Sequence, residues 1–145
     1  MGLLSASEKT SQRDWQLIKD AFAAAIEDTS NYTICYGYRI KNGLISKKMY
    51  NYALGFKNDP LELVCVPIDL DGNIIGDILN FTKENVSSIK KTLQAAWRIT
   101  SSLTPKPLEI TVPAFVPDTL GATYLLPINQ QTESESFAAF AKSFT

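Results

Sequence analysis

The feature that most constrains this fold is a change of hydrophobic period along the chain. Large apolar residues occupy every second position in YTICYGYRI (residues 32–40) and again in YNYALGF (residues 50–56). Such alternation places the apolar side chains on one face of a β-strand, so both stretches are predicted to be half-buried strands. Further strand-like runs separated by Gly, Asp and Pro continue to residue 131, which indicates about seven antiparallel strands.

An amphipathic helix is predicted before the strands, over residues 14–28. Trp15, Ile18 and Phe22 recur there at helical spacing, which places their side chains on one apolar face. The polar residues 1–10 ahead of this helix are expected to form a flexible leader. The β region therefore follows a single N-terminal helix.

A second amphipathic helix is predicted after the strands, over residues 132–144. Thr132 and Glu135 have the spacing of a capping box at its start. Three phenylalanines then share one face: Phe137, Phe140 and Phe144. A helix of about twelve residues is marginal in isolation, so this phenylalanine stripe is expected to dock on the rest of the domain.

The 145 residues suit one domain, assigned to residues 1–145, because no repeat, low-complexity tract or Pro/Gly/Ser linker divides the chain. Residues 84–94 are the ambiguous section, since Val86, Ile89 and Leu93 fit helical spacing while the flanking residues fit strands. A short helix and an irregular crossing both stay open there. The fold class is therefore α+β and mainly antiparallel, a bent barrel or roll over residues 32–131 with a helix at each end.

The stretch IDLDGNIIGD (residues 68–77) places three aspartates and one asparagine around a glycine. In a calcium-binding EF-hand loop that begins at Asp69, glycine would stand at the sixth position and glutamate at the twelfth. Here Gly72 stands at the fourth position and Asn80 at the twelfth, so the pattern fails. Asp-Gly between apolar runs is instead a strong hairpin signal, and the stretch is predicted to be a turn.

Histidine is absent, and the chain has only two cysteines, Cys35 and Cys65. Ser-His-Asp and Cys-His catalytic arrangements and His-ligated zinc therefore cannot be built. Both cysteines lie in apolar, strand-like runs, where buried free thiols are expected. The glycine-rich nucleotide motifs and the G-x-S-x-G hydrolase motif are also missing. These absences argue against an enzyme without settling the question, and no cofactor or metal site is implied.

The net charge of −1 and the pI near 5.4 provide no general attraction to nucleic acid or anionic lipid. The N-terminal residues lack a basic start followed by an apolar run, and no segment approaches the roughly 20 apolar residues that span a bilayer. We therefore expect a cytoplasmic chain with no transmembrane segment and no nucleic-acid partner.

Two groups of residues are candidates for ligand binding. Lys41, Lys47 and Lys48 surround a predicted turn and have the charge to hold a phosphate or an anionic headgroup, although a solvated loop is the favoured interpretation. The second group consists of large aromatic residues in or near the strands: Tyr36, Tyr38, Tyr52 and Trp97. They have the character of a stacking platform, but a core or a protein interface is favoured for them.

The order of elements resembles the pleckstrin-homology superfold, particularly its bacterial members. The likeness rests on ILNFTKENVSSIKK leading into AAWRIT, on LEITVP, and on LLPINQQTESESFAAFAKSF, which resembles the helix that plugs one end of a seven-stranded barrel. It covers residues 32–144 and leaves the helix of residues 14–28 as an addition. Lipid-binding members carry a basic pattern that ends in R-x-R, whereas RIKNGLISKKMYNY lacks it, so the resemblance assigns no functional residue. It implies binding of peptides, or of a second copy, through sheet edges.

The leading hypothesis is a non-enzymatic binding or assembly module that contacts a protein partner or a second copy of itself, through such an edge or through the surface near the N-terminal helix. The alternative is a cystatin-like helix on a curved sheet that binds a small molecule, with carboxylate chemistry as an option. Its pocket would be lined by aromatic residues of the strands: Tyr36, Tyr38, Tyr52, Phe56 and Trp97. Binding of an anionic headgroup through the three lysines is the least favoured hypothesis.

Overall fold

The structure, a computed structural model, describes residues 6–42, 47–117 and 125–144. In these ranges the chain forms helix α1 (Ala6–Ala25), nine strands and helix α2 (Gln131–Lys142). The strands are β1 (Thr33–Asn42), β2 (Lys47–Asn58), β3 (Leu61–Ile68), β4 (Leu79–Thr82), β5 (Val86–Lys91), β6 (Trp97–Ser101), β7 (Leu108–Ile110), β8 (Phe115–Val116) and β9 (Ile128–Asn129).

The strands form three antiparallel sheets. The first sheet has the order β1-β2-β3-β4, the second has the order β5-β6-β7, and β8 pairs with β9. A single bridge joins the first two sheets, where Tyr38 of β1 and Thr111 exchange backbone hydrogen bonds of 2.9 and 2.8 Å. The α+β class and the antiparallel pairing are as predicted. No closed barrel occurs among the described residues, so the seven-stranded barrel is not confirmed.

The first sheet is buried on both faces. We call these the α1 face, which carries Tyr36, Ala53 and Val64 beneath helix α1, and the α2 face, which carries Leu54 and Phe56 beneath α2 and the second sheet. All six residues from 51 to 56 are buried, so the half-buried strands predicted from the alternation are wrong at their centres. Small residues occupy positions that the alternation predicts to face solvent. Because these side chains are small, a second layer can pack against the sheet there.

Helix α1 begins and ends earlier than predicted. It spans Ala6–Ala25, so residues 6–10 are helical where a flexible leader was expected. These residues include no Gly or Pro and have ordinary helix propensity, so the helix can begin well ahead of its apolar face. Ile18 and Phe22 are fully buried against the α1 face, as the periodicity indicates.

Helix α2 docks through its phenylalanines but does not use the predicted capping box. Its N-cap is Gln130, which makes no side-chain cap hydrogen bond. Thr132 therefore lies one residue inside the helix. The rings of Phe137 and Phe140 are buried, with centroids 5.4 and 4.9 Å from that of Phe56. The phenylalanine stripe thus packs against the α2 face of the first sheet.

The ambiguous section is neither a helix nor an irregular crossing over most of its length. Val86–Lys91 is strand β5 and pairs with β6, with Ile89 opposite Ile99 and buried. Leu93, the third residue of the apparent helical period, lies fully exposed in the turn between the two strands. The spacing of three apolar residues is therefore coincidental, because long-range pairing with β6 determines the backbone here.

The aspartate-rich stretch reverses the chain, as predicted. Ile68 and Ile74 form a bridge, and the Asp69 carboxylate accepts hydrogen bonds of 2.9 Å from the backbone N–H groups of Asp71 and Asn73. Gly72 has a φ of +86°, a conformation that favours glycine. No group of three or more metal-ligating residues occurs among the described residues.

Candidate functional site

The outer edge of β1, the side that faces away from β2, is the most unusual backbone feature of the fold. Tyr38 exchanges hydrogen bonds there with Thr111. The Tyr36 N–H and C=O are both bound by the side-chain amide of Gln130, at 2.8 Å each. Alternate residues of an antiparallel strand point their backbone groups the same way, so those of Ile34 and Ile40 also face this edge. Neither has a hydrogen-bond partner on that side among the described residues.

Beyond the Tyr38–Thr111 bridge, β1 and β7 separate and leave a cleft of about 460 Å3. We call it the β1–β7 cleft, and its lining residues are Tyr38, Arg39, Ile40, Gln94, Ala96, Glu109 and Thr111. Glu109 lies on β7, two residues before Thr111, so its backbone N–H and C=O point toward β1 as well. The cleft is therefore bounded by two strand edges whose backbone groups face each other but do not form hydrogen bonds with each other.

The charge of this cleft is dominated by Arg39. Its guanidinium lies 4.6 Å from the centre of the Tyr50 ring, and its Nε is buried without a hydrogen-bond partner among the described residues. The carboxylate of Glu109 does not compensate Arg39, because it is paired with Arg98 at 2.9 Å. A buried donor without a partner costs free energy, which a ligand acceptor would relieve.

Of the three candidate lysines, Lys41 directly follows the cleft residue Ile40 along β1. Lys41 and Lys48 lie directly opposite each other on β1 and β2, and both side chains are exposed. Like charges directly opposite in a sheet destabilise it, so a bound anion would also relieve this pair. Lys47 begins β2 opposite Asn42, and its side chain lies outside the described part of the chain.

The candidate aromatic residues are dispersed, and only Tyr38 lines the cleft. Tyr36 is fully buried, its hydroxyl donates to the Asn51 side chain, and burial raises its pKa. Tyr52 and Trp97 are buried in the cluster on the α2 face of the first sheet. Tyr38 and Arg39 therefore line the cleft, Lys41 lies farther along β1 with Lys48 opposite it on β2, and the other candidate aromatic residues lie in the core.

The pocket of the small-molecule alternative is not assembled by these residues. Tyr36 belongs to the cluster on the α1 face, whereas Tyr52, Phe56 and Trp97 belong to the cluster on the α2 face. The sheet itself separates the two groups. Tyr36 therefore points away from the other three aromatic side chains.

The other open end of the β1 edge has fewer of the features expected of a binding site. A cleft of about 580 Å3 lies at Ile34, between α1, β1 and the first turn of α2. It has one strand edge instead of two, and its charged lining residues have opposite signs, Lys19 and Glu133. The β1–β7 cleft combines two open edges with an unpaired cation, so we take it as the candidate functional site.

Arg39 and Glu109 are the residues that sequence reasoning did not select. Arg39 stands two residues before Lys41 on a predicted strand, which places both side chains on one face. This spacing was a usable signal for a cationic face. Glu109 had no such signal, because its position depends on β7 lying next to β1.

The two cysteines are packed in the core. Cys35 and Cys65 are fully buried free thiols on β1 and β3, and burial raises the pKa of both. We predict that neither reacts with a thiol-specific aromatic disulfide at pH 8 over the time in which free cysteine reacts completely, because the thiolate is suppressed and inaccessible. Absorbance of the released thiolate measures this. Full reactivity should return in urea, and rapid reaction of the folded protein would contradict the burial.

Comparison with known protein families, curated proteins and solved structures finds no significant match to this chain. Among the described residues, no helix combines the length and apolar character needed to cross a bilayer.

Proposed function

We propose that the protein is a non-enzymatic binding module that takes up an extended segment of a partner protein in the β1–β7 cleft. One observation carries this proposal. The outward backbone groups of Ile40 and Glu109 face a common cleft and have no hydrogen-bond partner there among the described residues. Extended peptides bind open strand edges through such groups.

The dimensions of the cleft fit a short strand. A segment of three extended residues is about 10 Å long, and it occupies about 4.8 Å between strands and about 10 Å between layers. Its volume is thus close to the 460 Å3 of the cleft. The middle residue of such a segment can exchange two hydrogen bonds with Ile40, and the two residues that flank it point their backbone groups to the other side, where they can form two further bonds with Glu109.

Backbone bonds alone do not make a specific complex. At about 0.5 to 1.5 kcal/mol each, four hydrogen bonds contribute roughly 2 to 6 kcal/mol before the cost of ordering the peptide. A micromolar complex requires about 8 kcal/mol. Side-chain contacts must therefore supply the remainder, and the cleft presents cationic and apolar side chains for that purpose.

We further propose that the domain is pleckstrin-homology-like. A four-stranded meander, a three-stranded meander and a C-terminal helix follow one another in the order expected of that superfold. The helix packs on the first sheet through its phenylalanine stripe, which also supports the proposal. Such domains serve many binding roles, so this assignment is compatible with the peptide cleft but does not identify the partner.

The Ile40→Pro variant tests the cleft. Proline removes the N–H that points into the cleft, but it leaves the β1–β2 ladder intact because Ile40 donates away from β2. We select a random twelve-residue peptide display library on the protein and measure the affinity of enriched peptides by fluorescence anisotropy. Ile40→Pro is expected to weaken their binding at least about tenfold, which corresponds to about 1.4 kcal/mol.

Ile34→Pro is the matched control, because it removes the corresponding N–H at the other open end of the same edge. Ile40→Val controls for the loss of the side chain. Peptides that bind Ile40→Pro as well as the parent would place the binding site elsewhere. If Ile34→Pro weakens binding and Ile40→Pro does not, the cleft next to α1 is the site and the proposal fails.

A further inference from the structure

We propose that the segment bound in the β1–β7 cleft carries two acidic residues separated by one apolar residue. The carboxylates meet Arg39 and Lys41, and the apolar residue meets Ile40. The partner is thus a protein with an extended acidic-apolar-acidic segment. This inference rests on the proposed function, since it specifies the chemistry of the segment that the same cleft takes up.

The spacing follows from strand geometry. Arg39 and Lys41 are alternate residues of β1, so their side chains share the α2 face of the first sheet. Residues directly opposite them on an added strand lie on the same face, with Cβ atoms about 4.5 to 5.5 Å away. The two residues that meet these cations are therefore two positions apart. The residue between them lies opposite Ile40 and makes the backbone hydrogen bonds with it.

Neither Arg39 nor Lys41 forms a salt bridge within the described part of the chain. Arg39 stacks on Tyr50 and keeps a buried Nε without a partner among the described residues. The nearest carboxylate of the cleft, that of Glu109, is held by Arg98. A carboxylate from the bound segment would form a charge-assisted hydrogen bond with Arg39 and place a negative charge beside the Lys41–Lys48 pair.

The middle residue of the bound segment is expected to be apolar, because its side chain lies on the other face of the sheet, beside Ile40. Ile40 is 46% exposed, unusually open for a large aliphatic residue on a paired strand, and Tyr38 beside it is half-buried. A valine or isoleucine opposite Ile40 would cover both side chains. Cross-strand apolar pairs of this kind contribute about 0.2 to 1 kcal/mol each.

A membrane surface is the main competing occupant. Leu93 is fully exposed in the turn that follows the Lys90–Lys91 pair, and exposed apolar tips beside lysines suit anionic bilayers. A flat bilayer, however, cannot supply hydrogen bonds to Ile40 and Glu109 inside the cleft. An extended peptide satisfies both the cations and the backbone, so the cleft favours it.

The test uses three nine-residue peptides that alternate valine with glutamate, with glutamine or with lysine. Fluorescence anisotropy of labelled peptides measures the affinity of each for the full chain at two salt concentrations. The glutamate peptide is expected to bind at least about tenfold more tightly than the glutamine peptide, a difference of about 1.4 kcal/mol. This advantage should shrink at high salt, and the lysine peptide should not bind.

Paired charge variants locate the effect. The double variant Arg39→Gln, Lys41→Gln should remove the preference for glutamate over glutamine. The double variant Lys83→Gln, Lys90→Gln carries the same change of net charge outside the cleft and should retain the preference. Thermal melting of both variants verifies that each is folded, and the salt dependence of the parent provides a readout that needs no substitution.

The outcomes separate the two proposals. If all three peptides bind equally and Ile40→Pro abolishes binding, the peptide cleft stands and the acidic motif is overturned. If no peptide binds, or if Ile40→Pro has no effect on binding, both are overturned. Phosphatidylserine vesicles are tested in parallel by flotation. If vesicles bind through Arg39 and Lys41 while the glutamate peptide does not, the cleft belongs to a membrane-binding surface and the acidic peptide is excluded.

Discussion

Replacing Gly55 by alanine is expected to lower the free energy of unfolding by about 3 kcal/mol, the upper part of the range for overpacked cores. Gly55 lies on β2 directly beneath the ring of Phe22. A Cβ at this position would be 2.0 Å from Cζ of Phe22 and 2.3 Å from its Cε2. The ring has little freedom to move, because Phe22 is fully buried and packs edge-on against Tyr32 at 5.3 Å. Helix α1 must therefore shift away from the sheet.

Urea denaturation followed by circular dichroism measures this loss. Gly76→Ala is the matched control, because its Cβ would approach only Pro67, at 3.2 Å, in an exposed loop. A double-mutant cycle with Phe22→Leu identifies the cause, since a shorter side chain leaves room for the new methyl group. Gly55→Ala should then cost less in the Phe22→Leu background than in the parent. Equal costs in the two backgrounds would show that the ring is not the obstacle.

The packing of α1 on Gly55 illustrates which part of the fold could be predicted from the sequence and which could not. The spacing of Ile18 and Phe22 predicts a buried helix face, and both residues are buried. The alternation of large and small residues predicts alternately buried and exposed positions. Ala53 and Gly55 are instead the places where α1 approaches the sheet most closely. A small residue on a strand can mark either solvent or close packing, and only the tertiary structure distinguishes them.

Helix α2 and strand β5 also show what local sequence patterns can and cannot predict. Phe137 and Phe140 dock as predicted because a short amphipathic helix has to bury its apolar face. The section from 84 to 94 could not be assigned from its local period, because Ile89 is placed by pairing with Ile99. Local patterns thus predict the elements that bury one face, and they fail where pairing over distance decides.

The candidate site, too, could be predicted from the sequence only in part. Lys41 and Lys48 could be named from composition and turn signals, and Arg39 from its spacing to Lys41. The cleft itself could not, because it exists only where β7 diverges from β1 beyond the Tyr38–Thr111 bridge. Backbone groups without a hydrogen-bond partner cannot be predicted from the sequence, because every non-proline residue carries the same N–H and C=O.

Replacing Gln130 by leucine is expected to destabilise the protein by about 3 to 9 kcal/mol. Gln130 is 1% exposed, and its amide binds Tyr36 twice and donates to the Pro113 carbonyl oxygen at 2.7 Å. Leucine has a similar volume but no polar atoms, so three backbone groups would lose their partner. Each buried group left without one costs about 1 to 3 kcal/mol, which gives the expected range. Urea denaturation of Gln130→Leu measures it.

Two further variants show that the effect belongs to this amide. Gln131→Leu, an exposed neighbour, should change stability by less than about 0.5 kcal/mol. Gln130→Glu keeps an acceptor for the Tyr36 N–H but places a carboxylate against two carbonyl oxygens, which raises the pKa of the new group in the folded state. A raised pKa in the folded state means that stability is greatest at low pH and falls as the pH rises through that pKa. If Gln130→Glu were as stable at pH 8 as at pH 4, or if Gln130→Leu matched Gln131→Leu, the amide would not be what joins the β1 edge to the start of α2.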